Sequence, residues 1–423
     1  MLYDLAFLLF SLFYLPALIF KGKLHGEMPE RFGVYGKDKR AALEAAKGCI
    51  WIQAVSVGEV ALCKNLIPRI MERFPGKSII LSTITKTGND LARKLYSKEA
   101  IVIYFPLDFS FVAGKVVAMI KPSLYIMVET EIWPNVVREI SRSGAPSVMI
   151  NGRISDRSFG KYLLVKGFLK DTLGRIGLFC MQSKLDAERV TVLGAPPEKV
   201  KITGTMKFDT DMSPGALDTK KTKEAIGLRD DEELLVAGST HPGEEEIILT
   251  VYKDLVARFP KLKLLIAPRH VERAGEVERV VKGFGFRVSR IGMHVPDSRL
   301  PTPDTRIFIL DQMGVLSSFY SIATIVYIGG SLVKHGGQNP LEAAALERPI
   351  VFGPHMFNFR TVTALLVEAG AAVQVRDARQ LSEEIESLLK APDRRSRLGA
   401  SAKKVVDANR GVTERNVEEI VKL

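Results

Sequence analysis

Ile325-Val326-Tyr327-Ile328-Gly329-Gly330-Ser331-Leu332-Val333-Lys334-His335-Gly336-Gly337-Gln338-Asn339-Pro340-Leu341-Glu342 opens as a short apolar run rich in β-branched residues and closes on a helix start. The apolar run predicts a buried strand. Asn339 is a good N-cap, Pro340 suits the first helical position, and Glu342 stands where a capping partner would. Between strand and helix lie Gly329, Gly330, Gly336 and Gly337. Glycines let backbone N–H groups come close to a ligand, and a helix N-terminus behind them favours an anion. The stretch therefore reads either as a phosphate or nucleotide loop at the carboxyl edge of a parallel sheet, or as an ordinary strand-to-helix loop with a well-capped helix.

Working outward, the same strand–loop–helix rhythm recurs along the chain. Apolar strands are predicted at 49–55, 78–82, 101–105, 123–128, 147–150, 178–181 and 200–203. A polar stretch at 212–223 reads as a linker. A second series follows at 233–237, 262–267, 286–289, 306–310, 324–328 and 350–352. Strands alternating with helices imply parallel sheets covered on both faces. A chain of 423 residues is too long for one typical domain. The expected architecture is α/β: two doubly wound, Rossmann-like domains facing a cleft, at 23–211 and 224–423. The last helices, basic in character, could cross back to the first domain.

Residues 2–20 are almost wholly apolar, and Lys21, Lys23, Arg31, Lys37, Lys39 and Arg40 follow. Such a run just spans a bilayer core, and the basic residues after it place the rest of the chain on the cytoplasmic side. Residues 1–22 are therefore expected to be an N-terminal membrane-anchor helix that does no chemistry. The alternative is a helix lying in the interface or against the protein itself. The net charge of +12 would suit nucleic acid, an anionic membrane surface or an acidic substrate. The basic residues are scattered, with no aromatic-interleaved patch, so nucleic acid is not expected. Cys49, Cys63 and Cys180 show neither metal nor disulfide spacing.

Ligands of doubly wound sheets bind outside the carboxyl ends of the strands. There the first half carries Ser56-Val57-Gly58-Glu59 and Glu129-Thr130-Glu131-Ile132-Trp133-Pro134. Glu59, opening a helix, is either a favourable dipole contact or a general base, and the dipole would hold it ionised. Glu129 and Glu131 are either site acids or caps for the helix that Pro134 begins. The second half carries Gly238-Ser239-Thr240-His241, Pro268-Arg269-His270 and Asp311-Gln312-Met313-Gly314. Arg269 offers the planar fork that grips phosphate. Neither a G-x-x-x-x-G-K-[ST] loop nor a G-x-G-x-x-G fingerprint occurs. Asp209-Thr210-Asp211 looks like a metal pair, but it falls at the start of the linker. No histidine pair has zinc spacing. No metal and no cofactor are expected.

Taken together, these residues resemble the 3-deoxy-D-manno-octulosonic acid (Kdo) transferases of lipid A biosynthesis. The resemblance extends to Arg31-Phe32-Gly33-Val34-Tyr35, Gly204-Thr205-Met206-Lys207-Phe208-Asp209, Gly336-Gly337-Gln338-Asn339-Pro340-Leu341-Glu342 and Phe352-Gly353-Pro354-His355. Gln338 stands where the family usually has His. The resemblance implies a metal-independent GT-B glycosyltransferase. It would move Kdo from CMP-Kdo to the lipid A precursor at the inner membrane, with inversion. It also implies that Glu59 is the base, that Glu131 and Lys207 stabilise the transition state, and that Pro268, Arg269, Met313, Gly314, Val315, Asn339, Pro340, Leu341 and Glu342 bind CMP. Two other readings stand beside it: a GT-B transferase or epimerase using a UDP-sugar, and a non-enzymatic basic protein of the membrane surface.

Overall fold

The computed structural model describes residues 3–5, 7–9, 28–209, 218–292 and 305–423. The chain divides into two compact units. The first is Met1–Thr210 with Gly411–Leu423, and the second is Asp211–Arg410.

The first unit holds a seven-stranded sheet in the order β3-β2-β1-β4-β5-β6-β7. Its strands are β1 (Ile50–Gln53), β2 (Ile79–Thr83), β3 (Ala100–Tyr104), β4 (Leu124–Val128), β5 (Ser147–Gly152), β6 (Leu178–Met181) and β7 (Val200–Ile202). All neighbours pair parallel. Along β1, Ile50 and Ile52 join one buried cluster and Trp51 the other, so the strand's alternating faces are both covered. Each such Ile or Leu contributes roughly 1.5–3 kcal/mol by leaving water. The buried Trp51 indole donates to Ser82 Oγ at 2.8 Å, so its one polar atom is satisfied.

The second unit holds a seven-stranded parallel sheet in the order β10-β11-β9-β8-β12-β13-β14. Its strands are β8 (Glu233–Thr240), β9 (Leu262–Pro268), β10 (Val288–Ile291), β11 (Ile307–Leu310), β12 (Ile325–Ile328), β13 (Ile350–Phe352) and β14 (Val373–Gln374). Thirteen of these fourteen strands were expected from apolar runs. The short edge strand β14 was not, because two residues carry no periodicity.

Two expectations are corrected. Part of the predicted linker is a helix, Thr219–Ile226, because Asp218 Oδ1 accepts from Lys221 N at 3.0 Å and Ile226 is buried. Residues 210–217 of that stretch lie outside the described residues. The predicted anchor is also not a free-standing element at its start. Residues 3–5 and 7–9 are helical and pack on the first unit: Tyr3 hydroxyl donates to Asp108 Oδ2, and Phe7 meets Phe109 edge-on. Among the described residues, no helix is long and apolar enough to cross a membrane. Residues 10–22 of the predicted anchor lie outside the described residues.

The helix Val412–Val421 packs in the first unit. Asp209 caps it, accepting from Gly411 N at 2.7 Å and Thr413 N at 2.5 Å. The Asp209 carboxylate is thus occupied by backbone donors. Among the described residues, no group of three or more His, Cys, Asp or Glu could hold a metal ion.

Candidate active site

In the first sheet, chain order reverses between β1 and β4, which are direct neighbours. Their carboxyl ends form the switch point at which such sheets bind ligands. Glu59 follows β1, in the first turn of the helix Val57–Arg73. Its side chain turns back: Oε2 accepts from Val55 N at 2.5 Å, and Oε1 from Ser56 Oγ at 2.9 Å. Only 7% of the residue is exposed. Burial, then the neighbouring charge of Glu129, pushes its pKa up to about 7, against the Val55 and Ser56 donors. The expectation that the helix dipole holds Glu59 firmly ionised is therefore corrected, because desolvation and a like charge outweigh it. The contacts at the helix start and the raised pKa coexist in Glu59, so a capping role does not exclude a role in a site.

Glu131 follows β4. Burial and then Glu59 push its pKa up to about 8, while the Trp133 indole donates to its Oε2 at 3.1 Å. Lys207 sits in the 3-10 turn Met206–Asp209. That turn is fixed by Asn151 at the end of β5, whose Oδ1 accepts from Met206 N at 3.0 Å. Burial brings Lys207 down to about 8, with the Glu129 charge opposing and Arg153 assisting. The Glu59 charge thus acts on Glu131, and the Glu129 charge acts on Glu59, Glu131 and Lys207 alike.

Two further charged groups belong to the same cluster. Arg153 Nε donates to Glu129 Oε2 at 3.1 Å, and Thr130 and Arg153 bond through hydroxyl and backbone. Glu129 and Asn151 adopt left-handed backbone, φ 62° and 53°, which is costly for non-glycine residues. Arg153 was missed in the sequence. The available signal was a charged residue directly after an apolar strand. Burial among these charges leaves Glu59, Glu131 and Lys207 as groups that exchange protons near neutrality, as acid–base chemistry requires.

In the second sheet, chain order reverses between β8 and β12. The crevice there is filled by the protein itself. Glu244, fully buried, accepts from His241 N at 3.1 Å, Gly330 N at 2.6 Å, Ser331 N and Leu332 N at 3.0 Å, and Tyr327 hydroxyl at 2.6 Å. The N–H groups of Gly330, Ser331 and Leu332 in the loop therefore bind an internal carboxylate, while that of Gly329 donates to Gly238 O. The loop then folds back, with Gly337 N donating to Gly330 O at 2.8 Å and Gln338 N to Gly329 O at 3.0 Å. Gly337 has φ 74°, and a Cβ there would strike Met356.

Beyond this fold-back lie the predicted donor residues. The helix begins at Leu341 and runs only to Ala345, with Pro340 ahead of it. Pro340 is not its first helical residue, as the sequence suggested. Asn339 Oδ1 accepts from Leu341 N at 3.1 Å, and Glu342 accepts from Ser317 Oγ at 3.1 Å. Ser317 opens the helix Leu316–Ile322 directly after Met313, Gly314 and Val315, so two of the three donor segments are tied together. Pro268 ends β9 opposite Thr240, and Arg269 N donates to Thr240 O at 3.0 Å. His241 then links to the glycine loop: its ring stacks on His335 at 4.2 Å, and its Nε2 meets the Gln338 amide at 2.9 Å. Burial, then His335, lowers the His241 pKa, which favours the neutral ring that can accept this amide.

The comparisons with known proteins agree with this division. A family model described as 3-deoxy-D-manno-octulosonic-acid transferase (kdotransferase) matches residues 26–210. One described as glycosyl transferases group 1 matches 300–405. The 3-deoxy-D-manno-octulosonic acid transferase of Haemophilus influenzae is 35% identical over 92% of this chain and 89% of its own. That of Chlamydophila psittaci is 30% identical over 93% and 90%. Among solved structures, a glycosyltransferase from Rickettsia africae superposes with a TM-score of 0.60 at 13% identity, over 89% of this chain and 98% of its own. UDP-GlcNAc 2-epimerase from Neisseria meningitidis also reaches 0.60, at 11% identity, over 88% and 100%. These last two show the two-domain GT-B fold alone. With acids at one switch point, nucleotide-type loops on the other sheet, and two relatives matched over nearly their full length, the chain belongs to the 3-deoxy-D-manno-octulosonic acid transferase family.

Proposed function

We propose that this enzyme transfers Kdo from CMP-Kdo to a hydroxyl of the lipid A precursor, lipid IVA, with inversion at the anomeric carbon. The observation that carries the mechanism is the pair of buried carboxyl groups at the β1/β4 switch point, with pKa values raised to about 7 and about 8. A sugar hydroxyl attacks only as its proton is taken. Glu59, whose conjugate acid titrates near neutrality, is matched to that task. As the acceptor O–H bond breaks, the proton passes to Glu59 and the oxygen bonds to the anomeric carbon. The bond to CMP breaks, its electron pair leaving on the phosphate. Glu131, largely protonated at pH 7, can donate a hydrogen bond. Lys207 supplies positive charge as negative charge develops. The first unit is thus assigned the acceptor and the acid–base groups.

The second unit is assigned the donor. Arg269 pairs with the CMP phosphate, and the Met313–Val315 and Asn339–Glu342 segments hold the nucleoside. We also place the enzyme on the cytoplasmic face of the inner membrane. The apolar run of residues 2–20 supports this, as do the exposed Leu164, Val165 and Phe168 beside Lys161, Lys166 and Lys170. The test is to incubate the purified enzyme with CMP-Kdo and tetra-acylated precursor and to weigh the lipid product. The reading predicts a mass gain of whole Kdo units, and thermal stabilisation by CMP well above that by UDP. An unmodified lipid with stronger stabilisation by UDP would point instead to a UDP-sugar enzyme.

A further inference from the structure

The helix Pro134–Arg142 starts directly after Trp133, which contributes no side-chain cap. Asp108 caps that helix from another loop, accepting from Asn135 N at 3.1 Å and Val136 N at 2.9 Å. The helix Ser110–Ile120 likewise starts after Phe109 with no cap of its own. Its first N–H, that of Ser110, donates to Asp4 Oδ1 at 2.8 Å, and the same oxygen accepts from Asn135 Nδ2 at 3.0 Å. Tyr3 hydroxyl donates to Asp108 Oδ2 at 2.8 Å. Two residues from the start of the chain therefore join both helix starts into one hydrogen-bonded knot.

Phe7 extends the knot to the candidate site. Its ring meets Phe109 edge-on at 5.0 Å and Trp133 edge-on at 6.5 Å, while Phe105 holds Trp133 at 5.6 Å. The indole has one donor, and it goes to Glu131 Oε2 at 3.1 Å. An indole packed between two rings and anchored at a helix start has little freedom to aim that donor elsewhere.

We propose that Tyr3, Asp4 and Phe7 are positioning residues that hold Glu131 through Trp133, making the N-terminal segment a structural part of the acid–base site. This rests on the reading of Glu131 as a site residue. It replaces the expectation that the segment serves attachment alone. The charged and titratable groups facing Glu131 are Glu59, Glu129, Tyr125 and Tyr162, and none of the proposed substitutions alters them.

The experiment uses the full-length enzyme in detergent, with Phe7→Ala, Phe7→Tyr, Trp133→Phe, the Phe7→Ala/Trp133→Phe double variant and Glu131→Gln. Melting temperatures confirm folding. Phe7→Ala and Trp133→Phe are each expected to lower kcat by about ten- to a hundredfold, the scale of a small misplacement of a reacting group. KM for CMP-Kdo should stay within about twofold, since the donor loops lie on other elements. Both should move the Glu131-controlled limb of the pH profile to higher pH, because an N–H donor to a carboxylate favours its charged form. Phe7→Tyr should restore the profile. The double variant should be no worse than Trp133→Phe, as expected for residues acting in series. A Phe7→Ala enzyme that loses only membrane partition or affinity for the lipid acceptor, with a native pH profile, would overturn the proposal. So would unmoved profiles in both single variants while Glu131→Gln is inactive. Native turnover in Glu131→Gln would remove the Glu131 reading itself, and the proposal with it.

Discussion

Arg269 and Glu131 make the most separable claims at the residue scale. Arg269 stands at the end of β9 with its backbone tied to Thr240 and its side chain exposed, free to receive a phosphate. Arg269→Ala should weaken CMP by roughly 1.5–3 kcal/mol, the worth of a hydrogen bond to a charged group, as titration calorimetry would read it. Unchanged affinity in a folded variant would remove Arg269 from the donor site. Glu131 makes a stability claim. Its pKa is raised when folded, so between about pH 4.5 and 8 the folded chain binds more protons than the unfolded one, and stability falls as pH rises through that window. Glu131→Gln removes that penalty. Its melting temperature should be close to the parent's at pH 5 and several degrees higher at pH 9, at roughly 2–4 °C per kcal/mol, while turnover is lost. A gain that does not grow with pH would mean the carboxyl is not desolvated. The residue types of the site were legible in the sequence because acids after apolar strands stand out. Arg153 and the raised pKa of Glu59 were not legible, since both depend on which strand ends become neighbours.

At the scale of elements, the glycine stretch after β12 shows how a correct local reading can misplace a ligand. Strand, glycines and helix all form where the sequence puts them. The N–H groups of Gly330, Ser331 and Leu332 nevertheless go to Glu244, which arrives from the helix Glu244–Arg258 after β8. Such a long-range partner leaves no periodic mark in sequence. Glu244→Ala would leave four backbone N–H groups and the Tyr327 hydroxyl without their acceptor. It should lower the unfolding free energy by about 3 kcal/mol or more and weaken CMP binding through collapse of the loop. Denaturant unfolding and CMP titration would check both, and a variant of parental stability would show that water replaces the carboxylate. The short helix Leu341–Ala345 carries a related lesson: the sequence left Glu342 open between capping it and holding a ligand, and its side chain accepts from Ser317 of another helix.

At the scale of the whole molecule, the two sheets were legible because strands buried on both faces read as unbroken apolar runs, as in Leu124–Val128 and Ile325–Ile328. The helix Thr219–Ile226 was not, since its lysines resemble a linker until Asp218 is seen to cap it. Nor was the docking of Tyr3 and Phe7, because an apolar N-terminal run fits a bilayer and a protein surface equally well. The family, the paired acids and the donor loops converge on one claim: Glu59 takes the acceptor's proton. The most direct measurement is the rate of Kdo transfer by Glu59→Gln, alongside CMP affinity and melting temperature. The account predicts a fall in turnover of about 10²–10⁴-fold with CMP binding unchanged and the fold intact. Near-native turnover in that variant would contradict it and leave Glu131 as the base to test.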